Sequence, residues 1–391
     1  MAKTVRVAAC IGFGGPFGRE VASGVIDFCL RHPNWYVFLR GMVAGDQQAI
    51  AIAIEQWKAH GLITSPPDAL LTEVIRRAGV PTVEISGQPS ELWSTVAPDN
   101  RAIGAVAAEH LLERGFLSYG FCGDIEAWHS AERGAGFAST IEAQGQQCQD
   151  LKLELFSPDW IEVHRRISVW LEGLTKPAGV MACDDWTARQ VIWACREAKL
   201  RVPEDVSVIG VDNDSNESHL SQVPLSTVLL PTRLIGQTAA KVLHRLMKDP
   251  GAPREVILLK PVGVIARQST NAFGKSTPET QAALRFIAEN ADKPIRVGDI
   301  LAHVGTSRRK LERSFAIVLQ RSPGAEVLRV HLQRAQNLLA ETDLKIQAVA
   351  AAAGFGSYTL FCRHFHKRTG MRPADYRRKA RAELPSAPPA Y

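Results

Sequence analysis

Between residue 4 and about residue 268 the chain alternates short apolar runs with segments of helical spacing, and this alternation restricts the possible folds more than any other feature. The runs are "VRVAACI", "WYVFL", "PTVEI", "YGFC", "AGVMAC" and "VSVIGV". In the first intervening segment Val21, Val25 and Phe28 recur at i, i+4 and i+7, which places them on one face of a helix. Strand and helix alternating this regularly imply parallel sheets with helices on both faces. Ligands of such folds bind beyond the carboxyl ends of the strands, so the residues just after each run are where function is sought.

The pattern stops near "ARQSTNAFGKSTPET" (266–280), which is short on large apolar side chains and reads as a connection. The expected organisation is a domain over 1–268, a linker over 269–277, a helical domain over 278–380 and a disordered end over 381–391, where "ELPSAPPAY" offers nothing to pack. A length of 391 residues suits two such domains, each with its own core.

The helical part contains a repeat. "VGDILAHVGTSRRKLERSFAIVLQRSP" (297–323) aligns with "IQAVAAAAGFGSYTLFCRHFHKRTGMRP" (346–373), pairing Gly305 with Gly354, Ser307 with Ser357, Phe315 with Phe365 and Pro323 with Pro373. Each copy reads as a short helix, a turn with Gly, a Ser at the N-cap and a longer helix. That is the helix-turn-helix arrangement, whose second helix lies in the DNA major groove. Leu311, Phe315 and Val318 share one face of the first such helix, opposite Arg309, Glu312, Arg313 and Ala316. In the second, Phe361 and Phe365 are expected inward, and Thr359, Cys362, Arg363 and His366 outward.

Charge supports the assignment. Residues 275–391 hold 20 Lys/Arg against 10 Asp/Glu, while the first 274 hold 26 against 30, so only the tail is built to approach a polyanion. Its arginines suit bidentate contacts to guanine and Glu312 suits cytosine, while Thr306, Ser307 and Ser357 at the helix N-termini suit phosphates. Cys362, His364 and His366 do not form a metal site, because residues two apart on a helix point about 200° from one another.

The seven cysteines are scattered without a CxxC spacing, which fits a reducing cytoplasm. "VAAC" (7–10) imitates a lipoprotein cleavage site, but three residues between Arg6 and Cys10 are too few for a signal core. No run approaches the ~18 apolar residues of a membrane helix.

Over about 278–380 the chain resembles the AraC/XylS family of transcription regulators. The likeness is carried by "IQAVAAAAGFGSYTLFCRHFHKRTGMRPADYR", with its Gly-Phe turn, Phe-x-x-x-Phe spacing and closing Pro-x-x-Tyr-Arg. The resemblance implies a seven-helix DNA-binding domain whose two recognition helices enter successive major grooves. The positions matching the family's base readers are Arg309, Glu312 and Arg313, then Tyr358, Thr359, Cys362 and Arg363.

The first domain is similar to the LacI/GalR sensor, which shares the two-lobed fold of periplasmic sugar-binding proteins. Its landmarks are "APDNRAIGAVAAEHLLERGF" (97–116), "ERGAGF" (132–137), "DDWTA" (184–188) and "VPEDVSVIGVDND" (202–214). That resemblance implies effector contacts at Arg133, Asp184 and Asp212, with Phe17 and Trp128 as stacking or covering groups. A carboxylate accepts from two sugar hydroxyls while an arginine donates to two more, so these residue types fit a polyol. Asp99, just before a helix, reads as an N-cap. "GFGGPFGRE" (12–20) departs from GxGxxG and Arg40, not an acid, follows the second strand, so no nucleotide cofactor is expected.

The expectation is therefore a cytoplasmic transcription regulator, an activator, working as a homodimer on a double-stranded DNA operator and contacting RNA polymerase. The effector is a monosaccharide, with xylose favoured. Leu230-Pro231, where many sensors carry a polar Gln, keeps other pentoses and hexoses open. A sugar enzyme with a helical tail lacks a nucleophile–base pair, a metal set or a phosphate loop, and a solute-binding protein has no use for paired helix-turn-helix units.

Overall fold

In a computed structural model the described residues are 4–12, 15–41, 47–65, 69–88, 90–249, 251–274, 277–319 and 321–383. The first lobe opens with β1 (Val5–Ile11), α1 (Pro16–Leu30), β2 (Trp35–Gly41), α2 (Gln47–Glu55), β3 (Gly61–Thr64), α3 (Ala69–Ala78), β4 (Thr82–Glu84) and β5 (Ser94–Pro98). The chain then crosses to a second lobe with α4 (Asn100–Leu112), β6 (Ser118–Asp124), α5 (Trp128–Glu142), β7 (Cys148–Leu153), α6 (Trp160–Gly173) and β8 (Ala178–Ala182). That lobe continues through α7 (Asp185–Glu197), β9 (Val206–Val211), α8 (Ser215–Leu220) and β10 (Ser226–Leu229). A return supplies α9 (Thr232–Lys248) and β11 (Val256–Leu259) to the first lobe, and a third crossing adds β12 (Gly263–Ile265) to the second.

The described sheets run β11-β5-β4-β3-β1-β2 and β12-β10-β9-β8-β6-β7. Every pairing is parallel except β10 with β12. Val21, Val25 and Phe28 are buried as their spacing predicts, in a core that includes Ile235, Ala239 and Leu243 of α9. The second lobe has its own core, centred on Tyr119, Phe121, Phe137 and Ile167. Three chain crossings at 98–100, 229–232 and 259–263 join the lobes.

Helices α4 and α5 touch backbone to backbone. A Cβ on Gly104 would stand 2.0 Å from the Arg133 carbonyl oxygen, and one on Gly136 would stand 2.1 Å from that of Arg101. Only glycine permits this approach, and it brings the start of α4 against Arg133 on α5.

The tail consists of α10 (Pro278–Glu289), α11 (Val297–Val304), α12 (Arg308–Leu319), α13 (Pro323–Glu341), α14 (Ile346–Ala352), α15 (Tyr358–Thr369) and α16 (Pro373–Glu383), matching the seven helices the family resemblance implies. Two small cores fill it. Leu284, Ile300, Leu311 and Phe315 make the first, Val349, Phe361 and Phe365 the second, and α13 serves both through Val327 and then Leu332 and Leu339.

Both ends of the tail differ from the sequence reading. The segment read as a linker is packed: Ser269 and Thr270 are fully buried in a short 3-10 turn, and Phe273 lies in the first tail core. Small polar residues look like a loop in sequence, yet here their hydroxyls find buried partners. At the other end α16 runs to Glu383, past the boundary set at 380, while residues 384–391 lie outside the described residues.

Gly136→Ala must separate α4 from α5, because the opposing atom is backbone. Overpacking of this kind costs about 1–3 kcal/mol. Chemical denaturation should show a loss in that range, and an unchanged midpoint would mean that the close approach is not required.

Candidate effector site and nucleic-acid interface

The carboxyl ends of the second lobe's strands bring three of the five expected effector residues, Arg133, Asp184 and Asp212, into one neighbourhood. Arg133 is nearly inaccessible, and its donors are divided. Nε goes to Asn100 Oδ1 (3.0 Å), Nη1 to the Cys183 carbonyl (2.6 Å), and Nη2 lies 3.8 Å from Asp212 Oδ1. All three partners belong to the second lobe, so Arg133 is not a bridge between lobes. Asp212 Oδ1 is buried and makes no hydrogen bond among the described residues. Burial pushes the Asp212 carboxyl up to about 6, with Asp184 and Asp214 adding to the rise and Arg133 opposing it.

Local backbone aims this group. Asp212 and Asn213, just after β9, have φ of 101° and 56°, a region that non-glycine residues enter at a cost of about 1–3 kcal/mol each. The turn is held by Asp212 N to the Val228 carbonyl (3.1 Å), Asn213 N to Thr227 Oγ1 (3.1 Å) and Asp214 N to Asp185 Oδ2 (2.7 Å). Arg267, from the connector, donates to Asn213 Oδ1 at 2.8 Å.

Asp184 caps α7 by accepting from Thr187 N at 2.7 Å, so one of its oxygens is already engaged. Asp99 caps α4 through Ala102 N (3.0 Å), as the sequence implies. Trp128 opens α5 and donates Nε1 to the Gly87 carbonyl of the first lobe (3.2 Å), a clasp across the lobes with its ring partly exposed. Phe17, on α1 of the first lobe, packs against the cores of both lobes. The ends of β1, β2 and β3 lead into 13–14, 42–46 and 66–68, so the centre of the "GFGGPFGRE" loop lies outside the described residues.

Sequence reasoning missed Asn100, His129 and Asp185. Asn100 fixes the Arg133 fork. Burial, then the charge of Arg133, lowers His129 to about 4, which keeps it neutral at pH 7. Asp185 is fully buried, and burial followed by the charge of Asp212 raises its carboxyl well above the usual range. The signal was the doubled acid of "DDWTA", of which only the first Asp was chosen. A neutral imidazole, a held guanidinium and a carboxylate oxygen without a hydrogen bond supply both donors and acceptors, the chemistry that suits a polyhydroxyl ligand.

The second site is the outer face of the tail. Leu311, Phe315, Phe361 and Phe365 are buried, and Arg309, Glu312, Arg313, Tyr358, Thr359 and Arg363 are exposed. Glu312 already accepts from Arg308 Nε at 2.9 Å. Cys362 differs from the expected outward position: it is half-buried and packs against the second tail core. Ser357 caps α15 through Leu360 N, and Ser307 accepts from Lys310 N at 3.3 Å. Gly305 and Gly354 have φ of 68° and 79°, and a Cβ on Gly354 would strike the Ala291 and Lys293 carbonyl oxygens at 2.8 Å. The repeat therefore shares its turn glycine for a conformational reason. Among the described residues no helix is long and apolar enough to cross a membrane.

Comparison with known proteins follows this division. Residues 108–270 match the periplasmic binding protein-like domain, and residues 300–379 match a helix-turn-helix domain. The xylose operon regulatory protein of Haemophilus influenzae is 30% identical over 83% of this chain and 86% of its own. That of Escherichia coli K12 is 30% identical over 96% and 97%. A solved structure of the xylose-binding transcription activator xylR is 28% identical, with a TM-score of 0.66 over 97% of this chain and 99% of that one. The transcriptional regulator CelR in complex with cellobiose, 21% identical over 69% of this chain and 86% of that chain, has a TM-score of 0.59 and shares the sensor fold.

Arg363 and Phe361 sit two residues apart on opposite faces of α15. Arg363→Ala should weaken specific operator binding about 10- to 100-fold, the 1–3 kcal/mol of a base contact, with no change in melting temperature. Phe361→Ala should instead destabilise the tail by about 3–5 kcal/mol. Gel-shift titration and calorimetry on both variants check this, and a matching loss of stability in Arg363→Ala would make that residue structural.

Proposed function

This chain belongs to the family of the xylose operon regulatory proteins and is a DNA-binding, sugar-responsive transcription regulator rather than an enzyme; from that premise we propose that it is a cytoplasmic activator whose effector is D-xylose, bound between the two lobes. The observation that carries the reading is the buried Arg133–Asp212 pair, whose carboxylate oxygen lacks a hydrogen bond, at the carboxyl ends of the second lobe's strands. In this reading Asp212 accepts from two adjacent sugar hydroxyls, Arg133 Nη2 donates to a third oxygen, Asp184 contributes its remaining oxygen, and Phe17 and Trp128 cover the apolar ring face. Leu230 is buried and Pro231 begins the second crossing, so neither offers a side-chain amide, and a pentose or hexose other than xylose is the second reading.

The response reaches DNA through the packed connector. Arg267 ties the Asp212–Asn213 turn to the chain that leads, six residues later, to Phe273 in the first helix-turn-helix core. A ligand that draws on Asp212 acts one residue from this tie. The outcome is a population shift, which requires the sugar to bind the DNA-competent arrangement more tightly than the other. Two copies of the chain would present two tails to paired operator half-sites, with Arg309, Glu312, Arg313, Tyr358, Thr359 and Arg363 at the bases and RNA polymerase as the neighbouring partner.

Thermal melting against a monosaccharide panel tests the effector. D-xylose should raise the midpoint, in proportion to the logarithm of its concentration once above Kd. A rise with another sugar alone would move the pathway, and silence with all of them would remove the effector site.

The same titration at two pH values tests Asp212. Its carboxyl titrates at about 6, so it is ionised and accepting at pH 7 and protonated at pH 5. Xylose affinity should therefore fall about tenfold between pH 7 and pH 5, and Asp212→Asn should abolish the slope. A flat wild-type profile would exclude Asp212 from the hydroxyl contacts.

A further inference from the structure

Between the second lobe and the tail lies a cavity of about 430 Å³, walled by α10 and α13 on one side and by the connector and the turn before β9 on the other. Its lining has five arginines against two glutamates. Arg285 meets Glu204 at 3.6 Å, and Arg329 is paired with buried Glu326. Arg114 is different. It is nine-tenths buried, yet its contacts are the Thr270 carbonyl (2.7 Å), the His110 carbonyl (2.6 Å), the His110 ring and the face of Phe273, with no carboxylate in ion-pair range among the described residues. Burial and the charge of Arg329 lower its guanidinium to about 9, against the attraction of Glu113 and Glu326. Arg334, on the facing wall, gives Nε to the Ala352 carbonyl and has no acid partner among the described residues. Buried charges are ordinarily paired, so a cavity lined by five arginines and two glutamates, with Arg114 buried and outside ion-pair range of any described carboxylate, has a surplus of positive charge that suits an anion.

We propose that this cavity binds a small oxyanion on a hydroxylated body, a sugar phosphate or a sugar acid, gripped by the two terminal nitrogens of Arg334 and by Arg114 Nη2, with the amides of Gln268 and Asn271 at its hydroxyls. Guanidinium forks match the paired oxygens of phosphate and carboxylate, and the volume falls within the range of small-molecule sites. The site is built from both domains, so its ligand fixes the tail against the second lobe. It also includes Arg267, whose guanidinium holds Asn213 beside Asp212. Coupling to the lobe cleft rests on the sugar reading above, whereas the anion site stands on its own geometry.

The test is melting of the full chain with ribose 5-phosphate, gluconate, inorganic phosphate and neutral D-xylose, each against potassium chloride of equal ionic strength. Ribose 5-phosphate or gluconate should raise the midpoint by about 3–6 °C, and which of them does so identifies the oxyanion. Arg334→Gln should lose that rise while keeping the rise with D-xylose, which shows that the variant is folded. Arg363→Ala, on the DNA-binding face, should keep it. No rise beyond the chloride control in the wild type, a rise that survives in Arg334→Gln, or one abolished by Arg363→Ala would overturn the proposal. A rise with the anions but none with D-xylose would overturn the sugar reading alone.

Discussion

The buried helix α4 joins the two halves of this protein, and most of its functional geometry depends on how tightly that helix is held. At one end Asn100 accepts from Arg133, and just past the other end Arg114 grips the connector at Thr270. The rod between them spans about 20 Å at 1.5 Å per residue. Gly104 and Gly136 press it onto α5, so neither end moves without the other. Phe273, under the Arg114 guanidinium, is at once the far end of the connector and a member of the core that seats Leu311 and Phe315 of the first recognition helix.

The buried charges are distributed unevenly along this line. In the tail, burial alone would raise the Glu326 carboxyl, but hydrogen bonds from Arg329 and the charges of Arg329 and Arg321 hold it below the usual range. That group is fully compensated and acts as a brace for α13. In the lobe cleft, Asp212 has one guanidinium at 3.8 Å and an oxygen without a hydrogen bond. Desolvation therefore wins over attraction there, and the backbone that carries the group is held in a left-handed conformation. A brace satisfies its own charges, whereas an unsatisfied buried charge of this kind marks a candidate binding site.

The sequence carried the repeating parts of the fold more clearly than the irregular ones. β1, β4, β6, β8 and β9 stand out as apolar runs because they are buried on both faces, while β2, an edge strand, stands out through its aromatic and aliphatic residues although Tyr36 and Phe38 are exposed. β7, "CQDLKL", is an edge strand with half its side chains in solvent, and β3 and β11 span only four residues each, too short for a period to show. Arg133 and Asp212 were marked as candidates only through the resemblance, while Asp185 was passed over because two adjacent acids look interchangeable until one is seen to be fully buried. The connector misled for a related reason. Ser269 and Thr270 are small polar residues that suit a loop, but their hydroxyls pair with the Val208 carbonyl and with Ser226 inside the protein. Cys362 sits at the edge of the inward stripe of α15, where helical angle alone does not separate a base-facing side chain from one that leans on the core.

The placement of the tail constrains how a lobe movement is read. Among the described hydrogen bonds and ion pairs, those that link the connector and tail to the sensor all end on the second lobe: at Asn213, Leu225 and Ser226, at His110 and Arg114, and at Glu204. These contacts place the tail against the second lobe. In the proposed sugar reading the Asp212–Asn213 turn is where a bound ligand would act on the connector at short range, since Asn213, next to Asp212, is held by Arg267. A ligand that favours one arrangement of this turn tenfold contributes 1.4 kcal/mol to the choice, so a few hydrogen bonds that differ between arrangements suffice to move a regulator between nearly balanced states.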